Sequence, residues 1–132
     1  MKHIAVLVIA VFLILMMVGV VYATTLTPQT ITTSGLVVTP VAGSGTGEYE
    51  FNNTGREFIY IENNSGGSLD YTITIPGTVG GYALEDITGS VADGTVEYIG
   101  PFNPTYANAA DGNVDFTISV TTSVNLAVLR LP

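Results

Sequence analysis

Hydrophobic and polar residues divide this chain into two unlike parts. Residues 4–23 (IAVLVIAVFLILMMVGVVYA) form an apolar run of twenty residues without a charge. At the helical rise of about 1.5 Å per residue such a run spans about 30 Å, the thickness of a bilayer's hydrocarbon core. No polar stripe interrupts it, so it does not read as an amphipathic helix of a soluble core. Two readings fit. One is a secretory signal peptide, with Lys2 as the positive start and Val21-Tyr22-Ala23 offering small residues for cleavage after Ala23. The other is an uncleaved membrane-anchor helix, because the run is longer than most signal cores. In both, Lys2 stays on the cytoplasmic side and the rest is exported.

After residue 23 the period changes to two. Leu69, Tyr71, Ile73 and Ile75 alternate with Asp70, Thr72 and Thr74. Val114, Phe116, Ile118 and Val120 alternate with Asp115, Thr117 and Ser119, and Val124, Leu126 and Val128 follow. Shorter runs lie at 36–39, 48–52, 57–62, 88–91 and 95–99, and Gly, Asn, Asp and Pro clusters separate them. About eight strands at this spacing predict an all-β domain, an antiparallel β-sandwich or small barrel, preceded by the N-terminal hydrophobic helix. The boundaries are 1–23 for the leader, 24–34 for a Thr-rich linker or edge strand, and 35–132 for the β domain.

The pattern assigns the core to Leu36, Val38, Tyr49, Phe51, Phe58, Tyr60, Leu69, Tyr71, Ile73, Ile75, Val91, Val96, Tyr98, Val114, Phe116, Ile118, Val120, Leu126 and Val128. Phe58-Ile59-Tyr60-Ile61 is apolar on both faces. Such a strand is central in its sheet or lies under another chain.

Composition narrows the function. The 132 residues hold three Lys plus Arg against eleven Asp plus Glu, for a net charge of -8. Beyond residue 23 only Arg56 and Arg130 are basic. An acidic surface argues against nucleic-acid binding, which needs clustered cations. With no Cys and with His3 as the single histidine, the chain cannot build a disulfide, a thiolate zinc site, a Ser-His-Asp triad or a multi-histidine metal site. The expectation is a non-enzymatic protein without a cofactor.

Several short motifs invite chemistry. Asp111, Asn113 and Asp115 place oxygens at the spacing that begins a calcium loop. The loop glycine and the closing Glu are missing, so a plain Asp-Gly turn is the preferred reading. Glu48 and Glu50 share a strand face and read as a solvated edge. Gly43-Ser44-Gly45-Thr46-Gly47 lacks the ending of a phosphate loop and reads as a flexible connection. Asn52 and Asn63 each open an Asn-x-Ser/Thr sequence, explained equally by turn chemistry and by glycosylation. Arg56 and Arg130 either pair with nearby acids or lie at a subunit seam. In Ile99-Gly100-Pro101-Phe102-Asn103-Pro104, the prolines stiffen the loop, and Phe102 and Tyr106 pin it to the sheet or present it to a neighbour. The interface candidates are therefore Phe58, Tyr60, Pro101, Phe102, Tyr106, Arg56 and Arg130.

Four stretches carry a family resemblance. These are Asn53-Thr54-Gly55-Arg56-Glu57-Phe58-Ile59-Tyr60-Ile61-Glu62-Asn63, then Tyr71-Thr72-Ile73-Thr74-Ile75, then the Ile99–Pro104 segment with Tyr106, and the closing hairpin from Gly112 to Leu131. In order and pattern, residues 35–131 resemble small β-rich proteins encoded beside phage head genes, thought to decorate capsids or to be accessory virion proteins. The resemblance implies a structural role with itself or with capsid subunits as partner. The apolar leader departs from that family's pattern and points to an exported relative or a membrane-containing virion.

Two functions from different classes follow as expectations. The first is a structural β domain that self-assembles on, or decorates, a virion capsid or an extracellular filament. The second is a secreted or membrane-anchored cell-surface module that binds carbohydrate or another surface ligand. Both are extracytoplasmic. In a filament, the Thr-rich segment after residue 23 could pair with the sheet edge of the next subunit.

Overall fold

A computed structural model describes residues 22–132. The expected apolar helix over 4–23 lies outside the described residues except for Tyr22 and Ala23, which have no regular structure. Among the described residues no helix is long and apolar enough to cross a membrane.

Alternation of apolar and polar side chains yields strands because successive side chains point to opposite faces of a pleated ribbon. The elements are β1 (Thr24–Thr25), β2 (Gln29–Thr30), β3 (Val41–Ala42), β4 (Glu48–Asn52), β5 (Glu57–Asn63), β6 (Leu69–Ile73), β7 (Thr78–Val79), β8 (Tyr82–Ala83), β9 (Ile87–Val91), β10 (Thr95–Ile99), the short helix α1 (Pro104–Ala107), β11 (Asn113–Ile118) and β12 (Val124–Arg130). The described residues are thus all-β apart from one helical turn. Asn103 caps α1 by accepting the Thr105 amide at 2.9 Å, and Pro104 takes the first helical position, where no N–H is needed.

One sheet has the order β1-β4-β11-β6-β9 and the other β10-β5-β12-β2, with β3 also paired to β12; β7 and β8 form a small hairpin of their own. Most pairings are antiparallel. The exceptions are β1 with β4 and β2 with β12, both parallel. Residues 24–30 therefore begin on the edge of one sheet and end on the edge of the other. Leu26 between them is buried, and its amide donates to Glu50 O at 2.8 Å.

The inner faces of both sheets meet in one core. From the first sheet come Tyr49, Phe51, Leu69, Tyr71, Ile73, Val91, Val114, Phe116 and Ile118; from the second come Ile59, Ile61, Ile99, Val124, Leu126 and Val128. Tyr49 and Phe116 are register partners whose rings stack with centroids 5.3 Å apart. Such pairs add attraction beyond their buried area.

The strands at 48–52, 95–99 and 124–130 coincide with their predicted positions. The expected strand over 36–39 is absent; β3 forms at Val41–Ala42 instead. Leu36 and Val38 are half-buried rather than central to the core. The remaining corrections concern which face points inward. Glu57, Ile59, Ile61 and Asn63 face the core, while Phe58 and Tyr60 lie half-buried on the outside. Val96 and Tyr98 were expected inside, yet they are 44% and 60% exposed. Register explains the link, because partners directly across two strands share a face. Ile99 pairs with Ile59 and Glu97 with Ile61, so Tyr98 must accompany Tyr60 outward. Of the two readings of the doubly apolar strand, β5 is central: it runs between β10 and β12.

Candidate functional site

The 99–107 connection is built into the body of the protein at three points. Gly100 has φ +134°, and a Cβ there would meet Glu57 O at 2.8 Å, so only glycine fits this approach to β5. Phe102 is buried and its ring lies 6.0 Å from that of Phe51 in the core. Gly77 packs so closely on α1 that an added Cβ would meet Tyr106 Cα at 2.6 Å, and its amide donates to Tyr106 O at 2.9 Å. Phe102 is consequently a core residue and not the exposed contact side chain envisaged as one alternative. Pro101 is exposed, and Tyr106 is partly so.

Next to this connection lies the turn between β4 and β5. Asn53 is buried there. Its amide nitrogen donates to Phe102 O at 3.2 Å and to Asn108 Oδ1 at 2.6 Å, while its oxygen accepts the Gly55 amide at 3.1 Å. Asn108 replies by donating to Asn53 O and Gly112 O, each at 3.0 Å. The β4–β5 turn is thereby joined to the 102–112 stretch, about 50 residues away, through two side-chain amides.

Glu57 is wholly buried in the same region. Its carboxylate accepts from Thr54 N at 2.7 Å, Thr54 Oγ1 at 2.9 Å, Arg56 N at 3.0 Å and Arg130 Nε. Burial alone pushes the carboxyl pKa up. The Thr54 amide, the Arg130 guanidinium, the Thr54 hydroxyl and the Arg56 amide together outweigh it and hold the pKa at about 2. Every acceptor position is occupied by an internal donor, so this buried acid is structural and has no free face for a substrate. Arg130 thus pairs within the chain, as one of its two readings held; Arg56 is exposed. Glu57 escaped the sequence reading because a Glu at the start of an apolar strand resembles any solvated turn residue. The available signal was Thr54 three positions earlier.

Two surfaces are candidates for contact. The first is a shallow pocket of about 260 Å³ between the base of the β7–β8 hairpin and α1, lined by Ile75, Leu84, Ile87, Phe102 and Tyr106, with Glu85 at its rim. Its lining is almost wholly apolar and carries no converging acid–base pair. The second is the outer face of β5 and β10. Tyr60 and Tyr98 meet there edge to face, with centroids 5.6 Å apart, beside Val96 and the half-buried Phe58. Glu62 on the same face accepts from Asn125 at 2.8 Å. Hydrogen bonds from Asn125, Asn64 and Tyr60 keep its carboxyl below the ordinary value against a smaller opposing effect of burial. Phe58 and Tyr60 were anticipated as contact residues; Tyr98 was assigned to the core and is instead the most open side chain of this face.

The other motifs find local uses. Asp111 accepts the Asn113 amide at 3.0 Å and the Asn113 side-chain nitrogen at 3.2 Å, which makes a closed turn. Asp115 lies beside its register partner Glu50 across β11 and β4. Burial, then Asp111 and Glu50, raise its pKa. No group of three His, Cys, Asp or Glu placed to hold a metal ion occurs among the described residues. The Gly-rich loop is less free than expected, because Tyr49 Oη accepts the Ser44 amide at 2.9 Å and donates to Ser44 O at 3.2 Å.

The two glycosylation candidates differ sharply. Asn52 is exposed, with one long hydrogen bond of 3.4 Å to Gly112 O. Asn63 is fully buried, and its nitrogen donates to Gly67 O at 2.7 Å and Val91 O at 2.9 Å. No sugar could be carried on Asn63 without dismantling that corner.

The fold and surfaces define an all-β protein with an exposed aromatic face and a small apolar pocket. No protein-family profile, curated protein or solved structure matches this chain.

Proposed function

We propose that this chain is an exported structural domain, a two-layer β-sandwich without catalytic activity, that self-associates on or decorates a larger surface. The resemblance of residues 35–131 to phage head decoration proteins favours a virion, and the apolar leader favours a membrane-containing virion or an extracellular filament. The observation that carries this reading is the outer face of β5 and β10. Tyr98 and Val96 stand 60% and 44% exposed beside Tyr60 and Phe58, on a chain otherwise well supplied with acidic surface. Contiguous apolar side chains of this kind mark contact surfaces.

Light scattering of residues 24–132 against concentration tests the reading. Association is expected, stronger at high salt because screening relieves repulsion between acidic subunits, and weaker for Tyr98→Ser. A domain that stays monomeric in all conditions and has no affinity for a capsid or filament would overturn it.

The pocket between α1 and the β7–β8 hairpin favours a second reading, a surface module for a small, largely apolar or carbohydrate ligand. Specific retention on a glycan array, abolished by Tyr106→Ala, would move the assignment there.

A further inference from the structure

We propose that residues 24–30 are an exchangeable strand, which in the assembled protein fills the same groove of a second copy of this chain. This rests on the self-association reading and names its contact. Among the described pairings, this segment alone runs parallel to its neighbours, and it alone reaches both sheets. Its register partners are remote in sequence: Thr24 pairs with Tyr49, and Gln29 with Leu129. No tight turn therefore ties it to the strands it completes.

Everything it does can be done by the same residues of another molecule. Leu26 is its single buried apolar plug. Its hydrogen bonds are few: Leu26 N to Glu50 O at 2.8 Å, Thr25 Oγ1 to Glu50 Oε1 at 2.6 Å, the Gln29 side chain with the Thr39 backbone, and the two-residue ladders. Exchange conserves each of these contacts. The cost is confined to chain entropy, which changes slowly with the length of the loop being closed. Short ladders with one plug also open at low cost compared with the rest of the core.

The connection is suited to crossing. Residues 31–40 are tied to the body at their ends, where Ile31 N donates to Arg130 O at 2.8 Å and Thr39 bonds Gln29; between these ends the bonds are local, around the isolated bridge Thr32 to Gly35, and Val37 is 89% exposed. Ten extended residues reach about 33–36 Å, the scale of a small domain. Gln29 makes two hydrogen bonds with the Thr39 backbone, at 2.8 and 2.9 Å, so the acceptor groove includes the far end of its own connection. The hinge then falls between residues 32 and 38, because Ile31 is still bonded to Arg130 O. Left empty, the groove would expose the backbone edges of β4 and β12, which a second copy's strand would cover.

The chain has no Cys, which gives a clean test. Thr25 and Glu50 are register partners, so the double variant Thr25→Cys/Glu50→Cys can close a disulfide only where the strand is docked. The full chain is refolded at high concentration, oxidised, and its mass read after denaturation without reductant. Covalently linked copies are expected, either pairs from reciprocal exchange or a ladder from head-to-tail exchange. Single-chain mass throughout an assembled sample overturns strand exchange and leaves assembly standing. Monomers by light scattering at every concentration overturn both. Should the double variant fail to fold, an equimolar mixture of isotope-labelled and unlabelled wild type, refolded together, answers the same question. Intermolecular nuclear Overhauser contacts between the Leu26 amide and Glu50 Hα are expected, and purely intramolecular ones overturn the proposal.

Discussion

Exchanging Glu57 for Gln probes the most buried charge among the described residues. The native carboxylate accepts from the Thr54 amide, the Thr54 hydroxyl, the Arg56 amide and the Arg130 guanidinium. Folding lowers its pKa from 4.5 to about 2, so the native state binds its proton less readily than the unfolded chain does. Such a group stabilises the fold above pH 4.5, and its contribution fades as pH falls toward 2. The full difference corresponds to roughly 3 kcal/mol. Arg130, with a side chain 27% exposed, is partly screened by solvent, which leaves on the order of 2 kcal/mol. An amide at position 57 turns an NH₂ group toward donors and leaves Arg130 without a counter-charge. Glu57→Gln should therefore cost on the order of 2–4 kcal/mol at pH 7. Urea unfolding of both proteins from pH 7 to 2.5 isolates the effect. The subtraction matters because Asp115, with its raised pKa, acts in the opposite sense and favours folding as it protonates. The gap between wild type and variant should shrink steadily below pH 4.5. A gap constant down to pH 2.5 would refute the account of Glu57 as an internally bonded anion.

Further consequences can be measured on the same preparation. Gly100→Ala places a Cβ at a positive φ and 2.8 Å from Glu57 O, and thermal unfolding should show a loss of about 2 kcal/mol or more. Phe102→Ala empties a buried site against Phe51 and should cost about 3–5 kcal/mol, whereas Tyr98→Ser on the open face should stay within about 0.5 kcal/mol; equal losses would contradict the placement of the two rings. Asn63→Ala strips hydrogen bonds from the buried Val91 carbonyl and from the Gly67 carbonyl and should cost about 1–3 kcal/mol, while Asn52→Ala should be near neutral. Secreted from a glycosylating host, folded protein should carry sugar at Asn52 only, read by peptide mass spectrometry.

Residue pattern alone determined the β class and the seven strands of five or more residues, because alternation under one-sided burial follows from backbone geometry and needs no partner; the two-residue strands escaped it. It also placed the turns, where Gly, Asn and Asp relieve local backbone demands. Facing was legible in β4, β6 and β11, where polar residues mark the outer side. In β5 both sides are apolar, so alternation carries no information, and pairing decided. Ile59 and Ile61 entered the core alongside Val128 and Leu126, and β10 was turned with them, which sent Tyr98 outward. The burial of Asn53 and Asn63 was likewise hidden in one dimension, and that of Glu57 was hinted at only by Thr54. A polar side chain goes inside only when donors and acceptors converge on it, and here the local partners at Thr54, Gly55, Arg56 and Gly67 are completed by Arg130, Phe102, Asn108 and Val91, between 28 and 73 residues away. Tertiary structure supplied those partners because strands far apart in sequence become neighbours when two sheets close over one core.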